Sequence, residues 1–313
     1  MLYYNFVANQ LNFNTSRFIN SHIDYKEKII NKIKYHKCYI LPNNKLKNYN
    51  KILNNGIINF NDNQTHNIKI VVADIFNNTS ILKLKINSQK KDKKNINIYK
   101  IQNKTSKIFE FNTPNIFKTN KLRIHMQKYS LYESLNFEYK KLDSIKGIYG
   151  NIHQCHYDYI PIHKKYALTI TENIPNSLKE KVYIAKINNN NKFKYMGGVW
   201  NNGSIKTKIR EFGRFCIVAD TISPSIKGIN IFPGKELTSQ KTIKVVIEDK
   251  ESGIKSYRGE INGEWILMDY DYKTKLLKYE IDFTQFKKGN HFLKVLVIDN
   301  VGNTKIYNAK FVL

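Results

Sequence analysis

Cysteine is scarce in this chain. Its 313 residues contain three, Cys38, Cys155 and Cys216, far apart and odd in number. No CxxC spacing occurs, which excludes a zinc knuckle and a thioredoxin-like site. Long apolar runs are also missing: no stretch reaches the roughly 18 residues a transmembrane helix needs, so none is expected. The opening "LYYNFVANQLNFN" has no basic region and no apolar core, and is not expected to act as a signal peptide. There is no GxSxG, no GxxxxGK[ST] and no GxGxxG, so nucleophile elbows and phosphate-cradling loops are excluded. Gly197-Gly198 is instead expected to bulge or bend a strand. Acidic residues are few, 25 against 52 basic ones, which leaves a net charge of +27.

That charge invites a nucleic-acid reading. The lysines, however, are scattered along the whole length, and the one dense run is "KKDKK" at 90–94. Lys, Asn and Ile share A/T-rich codons, so codon bias accounts for the composition without a ligand. No specific nucleic-acid partner is expected, and attraction to an anionic polymer or membrane surface is the alternative.

What is present favours β structure. Hydrophobic residues make up 41%, with 21 Tyr and 17 Phe, and β-branched residues recur in short runs. "HNIKIVVADIFNNTS" (66–80) has a positional twin in "HFLKVLVIDNVGNTK" (291–305). His66 matches His291, Lys69 matches Lys294, Asp74 matches Asp299, and Asn78-Thr79 match Asn303-Thr304. Each copy reads as a β-branched run, a turn, and a second alternating run, which is a hairpin signal. Asn77 and Gly302 hold the turn position where a positive φ is easiest. The repeat predicts the same closing hairpin in two similar β-modules.

Three units follow. Residues 1–90 read as a partial immunoglobulin-like β-module with a helical insertion, where Tyr25, Ile29 and Ile33 share a face behind an Asp24/Glu27 cap. Residues 91–118, rich in Lys, Asn, Gln and Thr, read as a linker with one candidate strand. Residues 119–219 carry short strands at sandwich spacing, including "LRIHM", "LNFEYKKL", "YALTIT", "VYIAKIN" and "RFCIVA". "DTISPSI" marks a boundary, because Pro224 cannot sit inside a central strand. Residues 220–313 read as a C-terminal immunoglobulin-like sandwich of about seven strands, with a tight turn at "INGEW" and Trp265 in the core. The expected fold class is mainly β: tandem immunoglobulin-like sandwiches with one short helix in the first.

Two constellations suggest chemistry. "NIHQCHYDYIPIHKK" places His153, His156 and His163 around Cys155 and Asp158, and histidines at i, i+3 can ligate a metal. The flanks read as strand and loop and Pro161 breaks any helix, so these are weak metal candidates against a histidine-bearing loop packed by tyrosines. Asp74, Asp249 and Asp299 could bind calcium at module ends. One carboxylate per turn is few for a strong site, and turn stabilisation is the expectation. Ser252-Gly253 after Asp249 fits an ordinary turn.

The long phrases "TSRFINSHIDYKEKI", "LPNNKLKNYNKILNNGIINFNDNQTHNIKIVVADIFNNTS", "DTISPSI" and "DKESGIKSYRGEINGEWILMDYDYKTKLLKYE" carry a resemblance. "SLYESLNFEY", "PIHKKYALTI" and "REFGRFCIVADTISP" fit the same pattern. Together they resemble the C-terminal, non-catalytic region of lysostaphin-type (LytM-like) zinc metallo-endopeptidases of Bacteroidetes-type bacteria. Such proteins hold one zinc with HxxxD and HxH motifs and cleave peptidoglycan cross-bridges. None of the eight histidines here has Asp four residues on, and no His-x-His occurs. No catalytic, cofactor-binding or metal residue is therefore carried over, and zinc belongs to the peptidase domain this chain lacks. The resemblance implies accessory modules that bind or position a cell-wall peptidase, with peptidoglycan and a separately encoded peptidase domain as partners, in the cell envelope or periplasm. The alternatives are a stand-alone remnant and an envelope protein that binds anionic polymers without catalysis.

Overall fold

The computed structural model describes residues 2–8, 13–90, 106–237 and 240–313. The chain divides into two units, Met1–Lys104 and Thr105–Leu313. Most of the "KKDKK" run lies outside the described residues. Among them, no helix is long and apolar enough to cross a membrane.

In the first unit Tyr4–Phe6 pairs antiparallel with Tyr49–Ile52. The helix starts as its sequence dictates, with Asp24 accepting from the Glu27 amide at 3.1 Å. It spans Tyr25–Ile30 and stops short of Ile33, because Asn31 closes the last turn and Lys32 takes φ +60°. The expected sandwich does not form among the described residues. The repeat hairpin, Thr65–Ala73 with Thr79–Asn87, is a separate two-stranded sheet, and Ile70, Val72 and Leu84 on it are exposed. Their equivalents Val295, Val297 and Ala309 are buried because a second sheet lies over them.

The second unit contains two sandwiches in tandem, so the mainly-β class and the sandwich plan hold. In the first, a five-stranded sheet runs Val199–Asn201, Ser204–Ile209, Tyr166–Thr171, Leu122–Met126, Asn115–Lys118. It faces a six-stranded sheet running Phe193–Tyr195, Val182–Ile187, Gly213–Ala219, Tyr149–Cys155, Leu135–Leu142, Ser106–Phe109. Strict alternation decides which side chains meet: Leu122, Ile124 and Met126 point inward while Arg123 and His125 point out. They join Phe109, Phe137, Ile184, Phe215 and Ile217 from the facing sheet. Each such burial contributes about 1.5–3 kcal/mol. Phe109 and Phe137 stack with centroids 4.4 Å apart.

Two strands of this sandwich, Ser106–Phe109 and Asn115–Lys118, fall inside the segment read as a linker over 91–118. The Lys/Asn/Thr-rich surroundings masked them, since among the side chains described on them only Phe109 and Asn115 are buried. Gly197-Gly198 bends the chain from the edge of one sheet to the edge of the other, as a bent strand rather than a phosphate loop. Gly198 has φ +143°, and a Cβ there would lie 2.7 Å from the Ile205 side chain.

The C-terminal sandwich packs Ser225–Gly228, Thr242–Glu248, Leu276–Glu280, Asp269–Asp271 against Lys235–Glu236, Thr304–Val312, Asn290–Asp299, Ile254–Ile261, Glu264–Ile266. That gives nine strands among the described residues, where about seven were expected. "EWILMDYD" divides at Leu267-Met268 between the two sheets. Trp265 is not core: it is 56% exposed. It pairs opposite Glu260 on the solvent face, and the inward place goes to Ile266, opposite Gly259.

Candidate functional site

The three candidate histidines occupy separate environments. His153 lies within Tyr149–Cys155 and is fully buried, with Nδ1 2.8 Å from the Tyr139 hydroxyl and Nε2 buried without a hydrogen-bond partner. Burial pushes its pKa down to about 4, opposed by the nearby Glu172 charge. His156 follows the strand's last residue and takes φ +56°. Its amide donates to Glu138 O at 2.8 Å, its Nδ1 accepts from the Glu138 amide at 3.3 Å, and its ring packs on Phe137 and Phe212. Burial lowers it to about 4 as well. His163 sits in the next loop, with Nδ1 3.2 Å from the Tyr132 hydroxyl. Each ring is thus tied to aromatic and backbone neighbours, and the three do not converge. Cys155 is buried, and burial pushes its thiol far up, away from reactivity.

The potential metal ligands that do converge are aspartates. Among the described residues the one group of three or more such side chains is Asp220, Asp249 and Asp299, with carboxylate oxygens within 4.8 Å of one another. Asp220 ends the first sandwich; Asp249 and Asp299 lie at the same end of the second. Asp299 closes the repeat hairpin, its Oδ1 accepting from the Val301 and Asn303 amides at 3.0 and 2.8 Å and its Oδ2 from Asn303 Nδ2 at 2.8 Å. Asp74 makes the same set to Phe76 and Asn78 at 2.8–2.9 Å, so the twin turns are one structure. Asp249 Oδ1 accepts from the Glu251 and Gly253 amides at 3.1 and 2.7 Å, in a turn where Gly253 takes φ +82°.

Asp220 joins the sandwiches. Its amide donates to Lys181 O at 3.0 Å, its Oδ1 accepts from Ile222 N at 3.0 Å and its Oδ2 from Ser252 N at 3.2 Å. Asn303 Nδ2 donates to Asp220 O at 3.0 Å. Asp220 and Asp299 are fully buried. None of the three carboxylates is in a salt bridge among the described residues. The ammonium at hand, Lys181, donates to Val301 O at 3.4 Å. Burial, with repulsion from Asp220, raises Asp249 and Glu251 above the usual carboxylate range. Asp249 and Asp299 were named from the sequence. Asp220 and Glu251 were not, and Ser252 was read as an ordinary turn residue, because only the tandem packing brings "DTISPSI" against "EDKESG".

A third feature is electrostatic. The outer face of the five-stranded sheet reads across its register as Lys118, Arg123, Thr169, Lys206 in one row. Ile116, His125, Ala167 and Lys208 form the next. Arg123, His125, Ala167, Thr169 and Lys206 line a shallow depression there. The two rows hold four fixed positive charges and no acid.

Residues 106–220 match the family model of the Zu5-like domain. No curated protein sequence matches the chain. Among solved structures it is similar to fibronectin(III)-like modules of CbhA from Clostridium thermocellum. That match has 14% identity and a TM-score of 0.24, and covers 48% of this chain and 85% of that one. It is also similar to an endo-β-1,4-mannanase from Thermotoga petrophila, at 12% identity and a TM-score of 0.25, covering 30% of this chain and a fifth (20%) of that one.

Proposed function

We propose that this chain works as accessory β-modules of a cell-wall peptidoglycan metallo-endopeptidase, holding wall polymer and so positioning a catalytic domain in the envelope. The observation that carries the reading is the outer face of the five-stranded sheet. There Lys118, Arg123, Lys206 and Lys208 stand on a rigid strand scaffold without a carboxylate in their rows. Peptidoglycan stem peptides carry free carboxylates, and a cationic face with Ile116 and Ala167 set among its charges suits a polymer of sugars and acidic peptides. The chain-long phrase resemblance to the peptidase family's C-terminal region supports the same reading. Zinc hydrolysis then belongs to the peptidase domain, and this chain contributes binding.

Co-sedimentation with purified peptidoglycan tests it. The chain is expected to pellet with the polymer at low salt, to be released as ionic strength rises, and to lose several-fold in bound fraction in the Arg123→Ala/Lys206→Ala double variant. Absence of pelleting, or a double variant that binds as the parent does, rejects the reading. Equal retention on a generic polyanion such as heparin, with no preference for wall polymer, favours the anionic-polymer alternative.

A further inference from the structure

The aspartate junction has no part in the wall-binding face, and it presents an unsolved electrostatic problem. Three carboxylates, two of them fully buried, hold oxygens within 4.8 Å of one another. Glu251 stands close enough to hydrogen-bond Asp220 and to be raised by both Asp220 and Asp249. Like charges this close, out of water, require a compensating cation or proton. Lys181 does not ion-pair with any of them.

Ser252 supplies an observation independent of the acids. It is 2% exposed, and its amide is fixed on Asp220 Oδ2. Its carbonyl is taken by Asn300 Nδ2 at 2.8 Å. Its hydroxyl is buried and has no hydrogen-bond partner. A buried hydroxyl oxygen left unpaired on the residue whose amide holds the Asp220 carboxylate is what a hard cation would coordinate. The available atoms are all oxygen, which suits calcium or magnesium and disfavours zinc, whose ligands are chiefly nitrogen and sulfur. They come from three loops, around Asp220, Asp249–Ser252 and Asp299. Oxygens spread over up to 4.8 Å on three loops fit calcium's six to eight long, flexible contacts better than magnesium's strict octahedron.

We propose that Asp220, Asp249 and Asp299, with Glu251 and the Ser252 hydroxyl, form a calcium site that locks the two sandwiches of the Thr105–Leu313 unit together. The backbone frame is already built. Asp249 and Asp299 each spend one oxygen on turn amides, which fixes the carboxylate and leaves Asp249 Oδ2 for the ion. Asn303 ties Asp220 to the Asp299 turn, so the ligands of both modules are pre-positioned. Bound calcium removes the repulsion that otherwise drives the module ends apart, and the junction stiffens.

The test is thermal unfolding of the whole chain after chelator treatment, titrated with calcium and with magnesium, and calorimetric titration of the same samples. Calcium is expected to raise the melting temperature of the Thr105–Leu313 unit by several degrees, magnesium by much less, with binding in the micromolar to millimolar range. Asp249→Asn keeps the Oδ1 acceptor for the Glu251 and Gly253 amides and removes the charge. It is expected to weaken calcium binding at least tenfold, yet to melt at or above the parent in chelator, which separates lost ligation from a damaged fold. Asp74→Asn, in the twin turn, is expected to leave the calcium shift intact. No calcium shift in the parent overturns the proposal and assigns the compensating charge to a shared proton; equal shifts with magnesium, or a full shift retained in Asp249→Asn, overturns it by placing the cation effect elsewhere.

Discussion

Single side chains in this protein behave according to where the fold leaves them, and the histidines show it. His153 and His156 are held neutral by burial, each with a pKa near 4 against about 6.5 for a free imidazole. The folded value lies below the unfolded one. Each histidine therefore contributes stability that is complete above about pH 6.5 and is lost as pH falls through that value toward 4, with a slope of about 1.4 kcal/mol per pH unit. His156→Asn tests this, since Asn tolerates the φ of +56° and can still accept from the Glu138 amide. Urea unfolding at a series of pH values is expected to show a shallower acid limb by that slope. An unchanged limb would mean that other groups dominate acid unfolding. His22, stacked on Phe6 with centroids 4.0 Å apart and also lowered to about 4, adds the same sign in the first unit.

At the scale of elements, turns and crossings are set by the few residues that accept unusual backbone. Asn202-Gly203 and Asn262-Gly263 close two-residue hairpins with both φ values positive, as the right-handed twist of the strands demands. Gly203 has open space where a Cβ would go, so Gly203→Ala is expected to cost only the backbone strain, about 1 kcal/mol. Gly198 is different. It carries the chain from sheet to sheet with φ +143° and no room beside Ile205. Gly198→Ala is expected to cost about 2–3 kcal/mol, from strain and overpacking together, measured as a shift in the urea midpoint. Equal effects at both glycines would show that backbone strain alone decides. The repeat hairpin makes the complementary point, because the same strand–turn–strand is core in one copy and exposed in the other.

For the whole molecule, the Thr105–Leu313 unit is two sandwiches sharing a buried end. The outer face of the six-stranded sheet is itself apolar, with Ile152, Tyr183, Cys216 and Val218 buried and Val301 of the next module against them. Asn303 links the backbone of Asp220 to the carboxylate of Asp299 across the same junction. The two sandwiches are therefore expected to unfold as one calorimetric transition. Asn303→Ala, which leaves Asp220 O and Asp299 Oδ2 without that donor, is expected to cost about 1–3 kcal/mol and to broaden or split the transition. Two transitions in the parent, or no change in the variant, would count against coupling through this side chain.

Much of this was legible in the residues. Leu135–Leu142, Tyr166–Thr171 and Ser204–Ile209 coincide with runs that alternate on paper, since period-two burial leaves a local signature. The Asp74 and Asp299 turns were readable because an Asp caps amides two residues on whatever its surroundings. Strands with a mixed composition, such as Ser106–Phe109 and Asn115–Lys118, were not, because an edge strand needs only one or two buried side chains. Trp265 was misplaced for a related reason: hydrophobicity names the residue, and register chooses the face. The meeting of Asp220, Asp249 and Asp299 had no local signal at all. The sequence by itself determined the β class, the twin hairpin and each capped turn, since these depend on neighbours along the chain. Only the tertiary structure decided that one hairpin is core and the other exposed, and that three distant carboxylates, two of them buried, come within 4.8 Å of one another. Those outcomes depend on which surfaces pack, and long-range packing is not written in any short stretch.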